Sequence, residues 1–253
     1  MMWERVGPVT RVARLVLVFA AGMLLGVGHL SGQGIEFENE KAYGYALFDI
    51  FEVAPSMDGR PVRWDLIASF GKEYQRFTLK SDGDLSTSNR AGEAEFQGLY
   101  SRLIAPFWEA QFGLRLQMGL EGDQTRTRVH AVVGLQGIAP YWFELEPALF
   151  ISQDGDVSAA LVASYDLFVT QRLIFQPRVE SAVALQEVVE WGTGSGVNSV
   201  ALGGRLRYEI KRELAPYVGV NWVRLMGGSA TMARGRGDSA SRFGFVFGAR
   251  LWR

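Results

Sequence analysis

Tyr165-Asp-Leu-Phe-Val-Thr-Gln-Arg-Leu-Ile-Phe-Gln-Pro-Arg-Val-Glu180 is two alternating runs joined by a tight polar turn. From 173 to 185 the odd positions are Leu173, Phe175, Pro177, Val179, Ser181, Val183 and Leu185, while the even positions include Gln176, Arg178 and Glu180. Strict alternation describes a strand with one apolar face and one polar face. In a soluble barrel or sandwich the apolar face turns to a core. In an outer-membrane barrel it turns to lipid, and the polar face lines the lumen.

The same pattern recurs along the chain in about twelve runs. They lie near 43–53, 62–70, 73–81, 92–103, 107–119, 127–137, 141–152, 157–167, 173–187, 198–210, 216–225 and 241–252. Helical periodicity is weak throughout. One set of connections is short: Gly71-Lys72, Ala105-Pro106, Ala139-Pro140, Thr170-Gln171-Arg172 and Arg212-Glu213-Leu214. Three of these carry nearly one phrase, Ile104-Ala-Pro-Phe-Trp108, Ile138-Ala-Pro-Tyr-Trp142 and Leu214-Ala-Pro-Tyr-Val218. A proline at a strand start needs no ladder donor, and the adjacent aromatics suit a membrane-interface girdle. The other connections, at 55–60, 81–92, 121–126, 153–156, 190–196 and 226–240, are more polar and usually longer. Short turns on one rim and longer loops on the other describe an antiparallel outer-membrane barrel, with both termini on the short-turn, periplasmic side.

Side-chain facing agrees. In 198–210 Val200, Leu202, Gly204, Leu206, Tyr208 and Ile210 share the outward phase, and Ala201, Gly203, Arg205, Arg207 and Glu209 share the inward one. A small soluble barrel with the faces inverted fits this alternation equally well. Three further features favour the membrane. The N-terminus places Arg5, Arg11 and Arg14 before an apolar run at 15–27, a pattern of export signals rather than of a spanning helix. The turns carry aromatics. The last strand lines up Phe243, Phe245, Phe247, Ala249 and Leu251 on one face and ends at Trp252-Arg253. The expected organisation is a signal peptide at 1–28, a short periplasmic lead-in at 29–40 and a transmembrane β-barrel at 41–253, in the outer membrane of a Gram-negative bacterium and surrounded by its lipid.

Composition removes several functions. A net charge of -1 gives no electrostatic case for nucleic acid. The absence of cysteine excludes disulfides, zinc–thiolate sites and thiol catalysis. Beyond the signal and the lead-in His130 is the sole histidine, and neither Ser164 nor Asp166 sits in a catalytic motif, so no enzyme is expected.

Several phrases resemble the copper resistance protein B family of outer-membrane proteins. They include Trp64-Asp-Leu66, Tyr74-Gln-Arg76, Leu99-Tyr-Ser-Arg102, Gln136-Gly-Ile-Ala-Pro-Tyr-Trp-Phe-Glu-Leu-Glu146, Tyr165-Asp-Leu167, Thr170-Gln-Arg-Leu-Ile-Phe-Gln-Pro-Arg178, Leu206-Arg-Tyr-Glu-Ile210 and Ala215-Pro-Tyr-Val-Gly-Val220. They keep one order from about 43 to 252. The resemblance implies an outer-membrane barrel in copper tolerance, a copper ion as ligand, and periplasmic copper-handling proteins as partners. Members of that family often carry a Met/His-rich segment before the barrel; here residues 29–42 hold His29 and no methionine. Copper(I) favours thioether and imidazole donors. The candidates are Met226 and Met232, which share one loop, then His130 and Met57, while Met118 reads as lipid-facing.

The polar interior is the other candidate site. Arg76, Glu93, Glu95, Glu109, Arg115, Glu144, Glu146, Arg178, Glu180, Arg205, Arg207 and Glu209 fall on the inward phase, with Arg63, Asp65, Lys80 and Arg128 beside them. Mixed signs on neighbouring strands suit a paired plug. A narrow ion path, with Glu93, Glu95, Glu144 and Glu146 attracting cations, is the alternative.

Overall fold

The computed structural model describes residues 42–88, 91–122 and 124–253. The expected signal at 1–28 and lead-in at 29–40 lie outside them. The alternation becomes thirteen strands: β1 (Tyr43–Val53), β2 (Pro61–Gly71), β3 (Gln75–Ser86), β4 (Ala91–Ala105), β5 (Trp108–Glu121), β6 (Gln124–Ala139), β7 (Phe143–Ser152), β8 (Val157–Ser164), β9 (Leu167–Phe168), β10 (Leu173–Ala184), β11 (Gly196–Tyr208), β12 (Leu214–Leu225) and β13 (Ser241–Trp252). Each pairs antiparallel with its neighbour, and β1 also pairs with β13, so the sheet closes on itself. Closure leaves no edge, which a spanning sheet requires because lipid supplies no hydrogen bonds. No described helix is long and apolar enough to cross a membrane.

β9 continues β8 along the same neighbour, β10, so the strands occupy the twelve expected positions. The single run expected at 157–167 breaks because Pro177 lies opposite the gap and lacks the N–H a ladder needs. Its carbonyl still accepts from Tyr165 N at 3.2 Å. The break frees Asp166 to turn inward.

Three connections differ from expectation. β3 runs to Ser86, not 81, and β5 and β6 leave only residues 122–123 between them. The Ser81-Asp-Gly-Asp84 stretch has turn composition, but Asp82 and Asp84 fall on the inward phase, and burial decides over propensity. On the outer face the Trp64 indole lies across Gly83, where a Cβ would come within 2.4 Å of the ring, and its Nε1 donates to Ser81 Oγ at 3.0 Å. At 226–240 a nine-residue helix, α1 (Gly227–Gly235), replaces the expected loop.

The short rim follows the phrases only in part. Phe107, Tyr141 and Trp142 take φ of 67–68°, the left-handed region, directly after or one residue beyond Pro106 and Pro140. A proline followed by positive φ is the signature of a tight turn. The third copy of the phrase behaves otherwise. Pro216 and Tyr217 lie inside β12, and the turn comes earlier, closed by a Lys211–Leu214 bridge. Tyr217 therefore points inward rather than joining an interface girdle.

The inverted soluble barrel is excluded by exposure. Phe77, Leu114, Phe243 and Phe245 are 69%, 61%, 59% and 57% exposed on the outer wall, whereas Arg205 and Arg207 are each 2% exposed inside. Apolar outside and charged inside is the order that lipid imposes.

Candidate functional site

The lumen is crossed by ion pairs. Arg178 on β10 reaches the far wall: its Nη1 donates to Asp49 at 3.1 Å and its Nη2 to Asp65 at 2.8 Å, while its Nε holds Glu180 at 2.7 Å. Glu180 also accepts from Arg63 Nη2 on β2, and Asp49 from Arg250 Nε at 2.9 Å. Three arginines and three carboxylates thus form one neutral bridge between β10 and the β13–β1–β2 wall. A register shift between Phe48 and Ile50 makes this geometry, because the bulge brings Asp49 to the lumen beside Ile50.

A second set sits beside it. Arg205 Nε and Nη2 donate to Glu52 at 2.9 and 2.8 Å, and Tyr217 Oη donates to the same carboxylate at 3.1 Å. Lys80 spans from β3 to Glu146 on β7 at 2.7 Å. Arg115 pairs with Glu95 at 2.6 Å, Arg207 with Asp166 at 2.7 Å, Arg128 with Asp156 at 3.4 Å, and Arg76 with Glu109. Unpaired charges in so narrow a space would cost several kcal/mol each.

The lumen also holds an apolar layer that alternation did not reveal. Leu99, Val132 and Phe150 pack together inside, backed by Ala148 and Ala160. Arg115 lies 4.2 Å over the Phe150 ring, and His130 meets that ring edge-on at 6.3 Å. Next to it Ser69, Thr78 and Ser101 form a hydroxyl chain with 3.0 and 2.9 Å contacts.

Of the expected charges, Arg76, Glu95, Glu109, Arg115, Glu146, Arg178, Glu180, Arg205 and Arg207 all enter ion pairs. Among the described residues Glu144 accepts only from Ser164 Oγ, at 3.3 Å. Glu209 lies one residue past the end of β11 and forms no ion pair among the described residues. Asp82, Asp84 and Glu93 also form no ion pair among the described residues. They share the β3–β4 wall, where Asp84 faces Glu93 and Asp82 faces Glu95. The sequence reading missed Asp49, Glu52, Asp166, Tyr217 and Arg250 as partners. Asp49 and Glu52 carried a visible signal, two acids inside an otherwise apolar strand.

The outer mouth is narrowed by the β10–β11 connection. Trp191 reaches across to β5 and β6: its ring lies 3.3 Å from where a Cβ on Gly119 would stand, and Arg128 stacks on it at 4.9 Å. Arg126 donates to the Glu190 carbonyl, and Ser229 of α1 accepts from Gly194 N at 2.8 Å. The loop is therefore held from both sides.

Among the described residues the soft donors do not converge. His130 is 1% exposed and has Arg115 as its register partner, a cationic neighbour that opposes a metal cation. Met57 packs on Gly244 at the mouth. Met226 precedes α1 and Met232 lies within it, so the loop on which the sequence places both is a helix. Six residues of helix separate them by about 9 Å along the axis. No group of three or more His, Asp or Glu among the described residues is placed to hold a metal ion.

A family profile described as "Copper resistance protein B precursor" matches residues 42–253. The chain is 35% identical to "Copper resistance protein B" of Escherichia coli over 226 residues, covering 89% of this chain and 74% of that protein. It is 34% identical to the "Copper resistance protein B homolog" of Pseudomonas syringae pv. tomato over 224 residues, with 88% and 74% covered. Among solved structures it is similar to the NanC porin, with a TM-score of 0.50 at 11% identity over 83% of this chain and 98% of that one. That likeness concerns the fold alone.

Proposed function

The chain belongs to the copper resistance protein B family, and from that premise we propose that it supports copper tolerance by acting on copper ions in transit across the outer membrane, not by storing them. The observation that carries this reading is the contrast inside the barrel. Soft donors are scattered, while Asp82, Asp84 and Glu93 leave a surplus of carboxylate on one wall. Carboxylate rings and walls attract cations without binding them too tightly to leave. The short-turn rim faces the periplasm, where copper-handling proteins are the partners in this reading. No catalytic step is part of it.

Copper sensitivity of a deletion strain complemented with this chain tests the proposal. The native chain restores tolerance, Asp84→Asn/Glu93→Gln lowers it, and Met226→Leu/Met232→Leu leaves it unchanged. Full tolerance with the carboxylates removed would refute the cation-path reading. A generic narrow barrel without metal specificity is the second reading, favoured by the balanced ion pairs; it predicts that deletion sensitises cells to several cations alike.

A further inference from the structure

We infer that the cleft between α1 and the outer ends of β12 and β13 is a site for a phosphate group of the outer-leaflet lipid. The cleft has a volume of about 470 Å³ and is lined by Arg224, Leu225, Met226, Ala230, Arg234 and Ser241, among others. None of its lining residues is acidic.

Its position follows from the facing of two strands. The outward series of β12 is Leu214, Pro216, Val218, Val220 and Trp222, and the next residue on that face is Arg224. On β13 the outward series rises through Phe247, Phe245 and Phe243 to Ser241, which is the register partner of Arg224. The apolar band therefore ends at the Trp222–Phe243 pair. Arg224 stands two residues higher, about 6.6 Å at the strand rise, which is headgroup level on the long-loop, external rim. Trp222 Nε1 donates to Ser241 Oγ at 2.9 Å and fixes that boundary.

The second cation comes from α1. Arg234 lies on its last turn and is exposed, and neither it nor Arg224 forms an ion pair among the described residues; the nearby Arg236 has Asp238 instead. Two guanidinium groups without an ion-pair partner among the described residues, lining one cleft above an aromatic girdle, suit a phosphate by charge and by chemistry, since the guanidinium fork bonds phosphate oxygens in pairs. The apolar side of the cleft, with Leu225, Met226 and Ala230, suits the junction between a sugar headgroup and its acyl chains. A free anion would use the charge but not that surface.

The test is lipid binding by the purified full chain in detergent, read by native mass spectrometry. The probes are bisphosphorylated lipid A, the same lipid without phosphates, and inorganic phosphate. The phosphorylated lipid binds the native chain. Arg224→Gln/Arg234→Gln weakens it by about twenty-five-fold, the product of two charges each contributing about fivefold at an anionic surface. Arg224→Lys/Arg234→Lys retains part of the binding, and heat-modifiability on gels confirms that each variant keeps a closed barrel. Undiminished binding in the glutamine variant would overturn the inference. So would equal binding of the lipid without phosphates, or saturation of the site by inorganic phosphate alone.

Discussion

The pair Arg205–Glu52 shows what a lumen residue contributes. Both side chains are 2% exposed, and the carboxylate takes two guanidinium bonds and one from Tyr217. Removing one partner of such a pair leaves a charge with neither water nor a counterion. Arg205→Met is expected to destabilise the barrel by about 3–5 kcal/mol, whereas Arg205→Met/Glu52→Gln recovers most of that loss. Urea unfolding in detergent measures both, and an equal loss in the double variant would show that the arginine acts through packing alone. At this scale the sequence was a partial guide. Arg205 was legible as inward from the alternation with Leu206. Its partners were not, because Glu52 follows a bulge and Tyr217 sits in a phrase that elsewhere makes turns.

A strand is the unit on which facing can be tested. Leu202 lies at the middle of β11 on the outward phase, and Arg207 near its end faces inward. Leu202→Arg is expected to cost about 2–4 kcal/mol, the penalty for arginine at the lipid midplane. Arg207→Leu is expected to cost less, since its partner Asp166 keeps 30% of its side chain exposed and stays hydrated. Leu206 is a weaker probe because it is two residues from the strand end. Comparable folding yields for the two substitutions would contradict the outward assignment. The loop elements were less legible than the strands. Trp191 lies in a stretch with no periodicity, and its insertion depends on Gly119, some seventy residues away, offering room for a ring. A cysteine placed at Gly119 in this cysteine-free chain should react with an impermeant thiol reagent severalfold faster when Trp191→Ala is added. Equal rates would show that Trp191 does not cover that wall.

For the whole molecule, period-two alternation was enough to count the strand positions and assign the rims, because every strand must present one face to lipid. It did not show the lumen's contents across the barrel. Arg178 and Asp49 lie 129 residues apart and meet only after closure. The same limit applied to the methionines, which share a loop in sequence and are held apart by α1 in space. The central proposal is that this family member acts on copper in transit without holding it. A competition titration of the purified chain against a copper(I) chelator tests that claim most directly. Copper is predicted to stay with the chelator at every protein concentration, because copper(I) needs two to four soft donors converging. Stoichiometric transfer to the protein, abolished in Met226→Leu/Met232→Leu, would contradict the account.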